Sequence, residues 1–386
     1  MTTYRVRCFD GFAALPPAHR AMLDARAARD FFCDPVWLEY LIGHFYPDRH
    51  RLSVYAVENA AGVPLLLMPW RACRVDYSAF GAPTLGSISH PENYAPVAMW
   101  FDAPESERLA VLIALFRHLR RAGQVMLRIW PVDVESDDGR LLRQALHHAG
   151  LLVQRYENSF NRYEDTAGLD YAAYFAGRSA NLRYSVRRRQ RALEKAGRLE
   201  LALYREAGPA LEAAIVDYTR VAAGSWKDAE SMTSPDVLAL IRLCAAKGCL
   251  RLGILRTNGE AAAAQFWIVA GGVAHCARLA YHEEYRQQAV GVVLTNFMIS
   301  RVLDDDRVER IDFGYGEEDY KGGWMKSARD YYGFLAFNPS TRAGLWHGAR
   351  NILGRPVKRL AKALLVRLGL RAPDTTPVAS GRAGAR

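Results

Sequence analysis

Residues 311–324 read IDFGYGEEDYKGGW. Three carboxylates (Glu317, Glu318, Asp319), two phenols (Tyr315, Tyr320) and one amine (Lys321) crowd a short loop behind an apolar strand pattern. Such a set at the carboxyl end of a strand can take up and release protons around a bound substrate. Residues 279–300, LAYHEEYRQQAVGVVLTNFMIS, carry a complementary chemistry. A strand pattern there runs into Arg286-Gln287-Gln288-Ala289-Val290-Gly291-Val292, whose small residues let backbone N–H groups approach a diphosphate. A helix starting at Val290 adds its positive end, and Arg286 can pair with phosphate. Taken singly, the first segment also reads as a solvated acidic turn and the second as a tight turn before an ordinary helix. Tyr315, Tyr320 and Trp324 are costly to expose together, which favours a groove wall. The letters Asp312-Phe313-Gly314 do not make a kinase, because the HRD loop and the Gly-rich nucleotide loop are missing.

The elements that must position these groups follow from periodicity. Residues 52–57 and 63–70 form strands around the turn Glu58-Asn59-Ala60-Ala61-Gly62, and 105–122 a helix with Leu109, Leu112, Leu115 and Phe116 inward. A strand over 125–130 and a helix over 139–148 follow. In the second half Asp170 caps a short helix, and a long one covers 179–196. A strand over 199–204 and helices over 209–223 and 235–247 come next. Asn258-Gly259 turns a hairpin of 250–256 and 261–269. A strand over 275–281, a helix over 290–303 and a strand over 310–313 complete the pattern. Both halves thus carry a hairpin followed by a helix–strand unit, which suggests a structural duplication.

Composition narrows the classes. With 386 residues, half of them hydrophobic, the chain can build two or three domains. Six scattered cysteines without a CxxC pair speak against a zinc site or a disulfide framework. The start MTTYRVRCFDGF does not read as a signal peptide, and no apolar run is long enough to span a bilayer. The expectation is a cytoplasmic protein with reduced thiols. Of 51 Lys/Arg and 41 Asp/Glu, ten bases and one acid (Asp374) fall in 342–386, leaving the remainder almost neutral. That placement argues against a protein built wholly for nucleic acid. Residues 356–368 form a helix with Leu353, Val357, Leu360, Leu364 and Leu368 on one face and bases elsewhere. Such a helix either docks on its own domain or lies on an anionic membrane. The sequence beyond it reads as disordered.

The segment 312–321 resembles the Asp-Phe-Gly-x-Gly-x-x-x-Tyr-Lys signature of GNAT-like acyltransferases associated with cellulose and exopolysaccharide biosynthesis. Residues 286–292 resemble the GNAT diphosphate loop, with Ala289 where its first glycine stands, and Ala289-Val290-Gly291 falls where the family often has Ser-Pro-Gly. Residues 178–197 resemble the family's Arg-rich helix, and Ser225-Trp226-Lys227 its Ser-Trp-Lys element. The likeness is good over about 170–335 and diffuse over 30–160. In plan it extends to the Fem-type peptidyltransferases, which carry two GNAT-like halves.

This resemblance implies an α/β (α+β) fold of two tandem GNAT-like lobes, with mixed, mostly antiparallel sheets flanked by helices. The lobes would occupy 1–165 and 166–340, and a basic appendage 341–386. It implies an acyl-CoA co-substrate, acetyl-CoA or longer, and no metal. The acyl-CoA would lie where the fourth and fifth strands splay, with its diphosphate on Arg286, Gln287, Gln288, Ala289, Val290, Gly291 and Val292. Asp319 or Glu318 would serve as base and Tyr320 as acid, with His282 where GNAT bases often sit and Lys321 holding an acidic acceptor or phosphate. Tyr315, Trp226 and Lys227 would line the acceptor groove, unless Trp226-Lys227 only anchors a helix end. Independently of the resemblance, Asn93 and Tyr94, in a long polar loop after the Gly/Pro-rich stretch 81–91, either line that groove or sit in a surface loop. The Arg187–Arg191 cluster reads as a solvated face, a site for the 3′-phosphate of CoA, or a surface for an anionic acceptor. The acceptor would be an amine on a saccharide, a sugar precursor or an envelope lipid component. The protein would be cytoplasmic, held at the inner membrane face through 353–371. Two rivals stay open: a Fem-type aminoacyl-tRNA-dependent transferase, which alone would bring in a nucleic acid, and a catalytically idle assembly factor of a polysaccharide synthase.

Overall fold

The computed structural model describes residues 3–46, 51–75, 82–89, 97–195, 199–225, 232–315 and 319–352. In chain order the first lobe contains β1 (Arg5–Phe9), α1 (Pro17–Ala27), α2 (Pro35–Phe45), β2 (Arg51–Glu58), β3 (Pro64–Val75), β4 (Ala82–Gly86), β5 (Trp100–Phe101), α3 (Glu105–Arg121), β6 (Met126–Asp133), α4 (Asp137–His148) and β7 (Leu152–Asp165). The second contains α5 (Tyr171–Ala176), α6 (Ala180–Lys195), β8 (Leu199–Tyr204), α7 (Pro209–Ala223), α8 (Pro235–Ala246), β9 (Leu250–Thr257), β10 (Glu260–Ala270), β11 (Val273–Tyr281), α9 (Val290–Asp304), β12 (Arg310–Tyr315), α10 (Asp319–Trp324) and β13 (Ser327–Phe337). A last helix, α11, covers 342–352.

Local chemistry sets several boundaries. Ser136 opens α4 by accepting from Gly139 N at 3.1 Å, and Asp137 and Asp138 complement the helix dipole. Asp170 caps α5 through Ala173 N at 2.7 Å, as its sequence position predicts. Asn258 and Gly259 both take positive φ (54° and 82°), the pairing that a tight hairpin between β9 and β10 requires.

One sheet runs through the molecule in the order β1-β2-β3-β4-β6-β13-β7-β12-β11-β10-β9-β8, with β5 beside β3. The order reads alike from either end once the lobes are exchanged: β4 is parallel to β6 across the crossover helix α3, and β11 is parallel to β12 across α9. At the centre β7 lies between β12 and β13, and β13 between β6 and β7. Each lobe therefore lends its last strand to the other. This is the duplication suggested by the hairpin–helix–strand pattern, closed by a strand exchange that the pattern does not reveal.

Three large cores follow from this plan. Under α3 and α4 lie Trp70, Leu112, Phe116 and Phe334. Under α5, α6 and α9 lie Trp267, Leu294, Met298, Phe313 and Trp324. A third core is shared by both lobes, joining α1 and α2 to α7 and α8 through Leu41, Trp37, Tyr218 and Phe266. Polar contacts cross the same seam: Tyr40 donates to the Asp236 carbonyl at 2.7 Å and Lys247 pairs with Asp34 at 2.6 Å. Truncating one of these buried aromatics would cost about 3–5 kcal/mol.

Candidate functional site

The parallel pairing of β11 with β12 covers only Val273–Arg310, Ala274–Ile311 and His275–Asp312. Beyond it β12 bends toward β7, pairing Tyr315 with Asn161, while β11 continues along β10 to Tyr281. The two strands thus part, and the start of α9 sits at the end of β11. A 3-10 turn, Glu283–Gln288, leads in, and Ala289 takes the left-handed conformation at φ 53°. The first helical turn leaves N–H groups unspent within the helix, and it contains no acid.

A buried chain of hydrogen bonds fixes that turn. Trp267 Nε1 donates to Gln265 Oε1 at 2.9 Å, Gln265 Nε2 to Thr295 Oγ1 at 2.7 Å, and Thr295 Oγ1 to the Gly291 carbonyl at 2.8 Å. Gly291 packs on Tyr281, whose Cδ1 would stand 3.3 Å from an added Cβ. Arg286, Gln287 and Gln288 are exposed on the turn, with Arg286 3.7 Å from Glu283. The turn into α9 is therefore held in place by buried contacts, with one strained position. Because Ala289 bears a Cβ where glycine is unstrained, Ala289→Gly should raise stability by about 0.5–1 kcal/mol. A urea denaturation curve unshifted or shifted downward would contradict this.

The corresponding place in the first lobe is filled. Ser87 Oγ donates to the Trp130 carbonyl at 2.8 Å and accepts from Trp130 N at 2.9 Å, stitching the ends of β4 and β6 together. Arg71 packs on Gly86, donates to the Ser87 carbonyl at 3.1 Å and lies 4.1 Å from the Tyr46 ring centre. Helix α3 begins behind Pro104 with Glu105 and Glu107, which repel an anion. Of these two helix starts, that of α9 is the one without an acid in its first turn.

Where β11 and β12 part, a polar network forms the floor. Asp312 is 2% exposed, accepts from Gly314 N at 2.7 Å and from Asn161 Nδ2 at 3.3 Å, and pairs with Arg329 at 2.5 Å. Asn161 Oδ1 and Arg329 Nε are buried without a partner among the described residues. His275 stands beside Asp312 and meets the edge of Phe32 at 5.0 Å. Burial pushes its imidazole down to about 4, against the attraction of Asp312 and with the help of Arg329 and Arg310. At neutral pH it is an uncharged ring. Burial raises the Tyr331 phenol on the same face well above its usual range. Sequence reasoning chose none of His275, Asn161, Asp312 or Arg329. The available signal was a charged residue, Asp312, inside an apolar strand.

The 319–324 stretch is a short helix, α10, rather than a loop. Its Trp324 is a core residue, 2% exposed, and not part of a groove wall. The Trp324 carbonyl accepts from Tyr174 Oη at 2.7 Å and from Arg178 Nη1 at 2.6 Å. Arg178 is paired with Glu164, whose other oxygen accepts from Lys326 N at 2.7 Å. Both ends of α10's exit are thus tied to one buried ion pair. Tyr320 is 42% exposed and Lys321 is buried. The backbones of Tyr315 and Asp319 belong to β12 and α10, but their side chains lie outside the described residues, as do Glu318, Trp226, Lys227, Asn93, Tyr94 and the 356–368 helix. His282 caps the 3-10 turn, and its ring rests on the backbone of Gly224, where a Cβ would lie 1.9 Å from Cδ2. That contact docks the end of α7 beside the opening.

Residues 180–322 match the family model described as acetyltransferase (GNAT) domain. No curated protein matches the sequence. Among solved structures the chain is similar to FemX, at 10% identity and a TM-score of 0.57 over 84% of this chain and 97% of that one. It is also similar to L-PGS from Bacillus licheniformis, at 11% identity and a TM-score of 0.50 over 89% and 98%. These identities speak for the fold. The segment that matches the family model lies in the second lobe and contains the opening between β11 and β12.

Proposed function

We propose that this protein transfers an acyl group from acyl-CoA to an amine, with the reaction in the opening between β11 and β12. The observation that carries the reading is the acid-free start of α9 at the parting of those strands, set against the stitched and acidic counterpart in the first lobe. The diphosphate would meet the N–H groups of Val290 and Gly291 and the exposed Arg286 guanidinium, while Val292 N closes the turn on the Ala289 carbonyl at 3.0 Å. Arg187 and Arg188, on the α6 helix that packs along α9, form no ion pair among the described residues and offer charge to a 3′-phosphate. An alkylammonium, with a pKa near ~10, must lose a proton before it attacks a thioester. Asp319 or Glu318 is proposed as base and Tyr320, exposed beside the opening, as donor to the departing thiolate. A backbone N–H of β11 would hold the oxyanion. An acceptor amine from polysaccharide or envelope synthesis remains our proposal for the substrate.

The second reading, a Fem-type aminoacyl-tRNA-dependent transfer, draws on the whole-chain likeness to FemX. Titration calorimetry with acetyl-CoA and longer acyl-CoAs separates the two. Micromolar binding is expected, weakened about tenfold in Arg286→Ala and lost in Gly291→Glu, whose side chain would fill the cradle. A folded protein that ignores every acyl-CoA but binds tRNA in a salt-sensitive way would replace the first reading with the second.

A further inference from the structure

Helix α11 packs the wrong way round for an ordinary surface helix. Its inward positions are Gly344 and Gly348, both buried. A Cβ at Gly348 would stand 3.0 Å from Leu152 Cδ1 and 3.3 Å from Phe337 Cβ, and one at Gly344 would clash with the Asn338 carbonyl. The helix therefore lies close against β7 and β13, and its large apolar side chains point outward. Trp346 is 63% exposed, Leu345 52% and Ile352 36%. A surface helix normally buries such residues and exposes small or polar ones. Nothing in the packing of α11 accounts for the reversal.

The surroundings are basic. Arg342 and Arg350 are exposed on the helix itself. At its start, Arg117, Arg120 and Arg121 of α3 line a cavity of about 530 Å³ with Ser340 and Thr341, and Arg120 Nε donates to Ser340 Oγ at 3.1 Å. At the helix's far end Asn351 lines a cavity with Arg155 and the acid Glu157. Residues 353–386, beyond α11, add eight bases against one acid. Folding that segment back over α11 would set like charge against like. An anionic surface would neutralise both and take up the indole and the leucine at its boundary. No helix among the described residues is long and apolar enough to cross a membrane.

We propose that the outer face of α11, with Leu345, Trp346 and Ile352 framed by Arg117, Arg121, Arg342 and Arg350, is a docking surface for anionic lipid. The test is co-sedimentation of the full-length protein with vesicles of phosphatidylcholine alone and with about 30 mol% phosphatidylglycerol added. The protein should pellet with the anionic vesicles, less so as salt rises. A Leu345→Ser/Trp346→Ser variant, altered only at exposed positions, should bind at least about tenfold more weakly at unchanged Tm. An Arg342→Gln/Arg350→Gln variant should weaken binding to anionic vesicles alone. Wild-type protein that stays in solution overturns the proposal. So does a serine variant that pellets like wild type, which would place attachment elsewhere. A concentration-dependent dimer that the serine variant dissolves, without vesicle binding, would assign the face to a second copy instead.

Discussion

A Glu164→Ala variant is expected to lose about 3–5 kcal/mol of stability, because it strands the Arg178 guanidinium in a site that is almost closed to water. The same change frees Lys326 N and loosens the grip of Arg178 on the Trp324 carbonyl. Helix α10, with Tyr320 and Lys321, would then lose its fixed exit, so the acyl transfer proposed above should fall further than the folded fraction does. Guanidinium denaturation checks the first part and activity at saturating substrate the second. The double variant Glu164→Ala/Arg178→Met should recover most of the stability, since it leaves no uncompensated charge. It should not recover the activity, because the Trp324 carbonyl keeps only Tyr174. A single variant that costs under about 1 kcal/mol would show that the ion pair is not what holds this corner.

Acid should weaken the fold through His275. Its imidazole is pushed down from 6.5 to about 4 in the folded chain. Between those two values the unfolded chain binds the extra proton and the folded chain does not, so stability falls as pH drops through that window. The loss amounts to as much as about 3 kcal/mol, and above the upper value His275 contributes no pH dependence. The groups facing it are Asp312, Arg329 and Arg310. A His275→Gln variant removes the titrating ring and should flatten this part of the profile. The check is the difference between unfolding free energies at pH 7 and pH 4.5, wild type against variant. Equal differences would mean that the ring is accessible enough to protonate in place.

The segments that frame the opening were legible because their apolar periodicity is unbroken. Val290, Val293, Leu294 and Met298 mark α9, and Ile311 and Phe313 mark β12. The two exchanged strands were not legible. β7 reads LVQRYENSFNRYED, and its buried positions include Asn161, whose Nδ2 donates to Asp312, and Glu164, paired with Arg178. Polar residues buried through partners distant in sequence look, in one dimension, like exposed ones. Helix α10 was missed for a related reason: DYKGGW has two glycines and little helix propensity, and Tyr174 and Arg178 hold its exit from outside. α1 was missed because PAHRAMLDARA buries only His19 and Leu23. At the site, the turn into α9 could be read from small residues and spacing. The floor of His275, Asn161, Asp312 and Arg329 could not, since it exists only once four strands lie side by side.

The exchange of β7 and β13 also orders events during synthesis. As the chain leaves the ribosome, β6 and β7 appear early, yet the strand that belongs between them, Ser327–Phe337, is among the last to emerge. Until then the first half carries two unpaired strand edges that no local contact can satisfy. Such edges invite wrong partners, and pairings this far apart in sequence close slowly. The two halves are therefore partners in a single late event: arrival of one strand joins β6 to β7 in the middle of the single sheet, seals Asp312 under Arg329 and sets the floor of the opening in the same step.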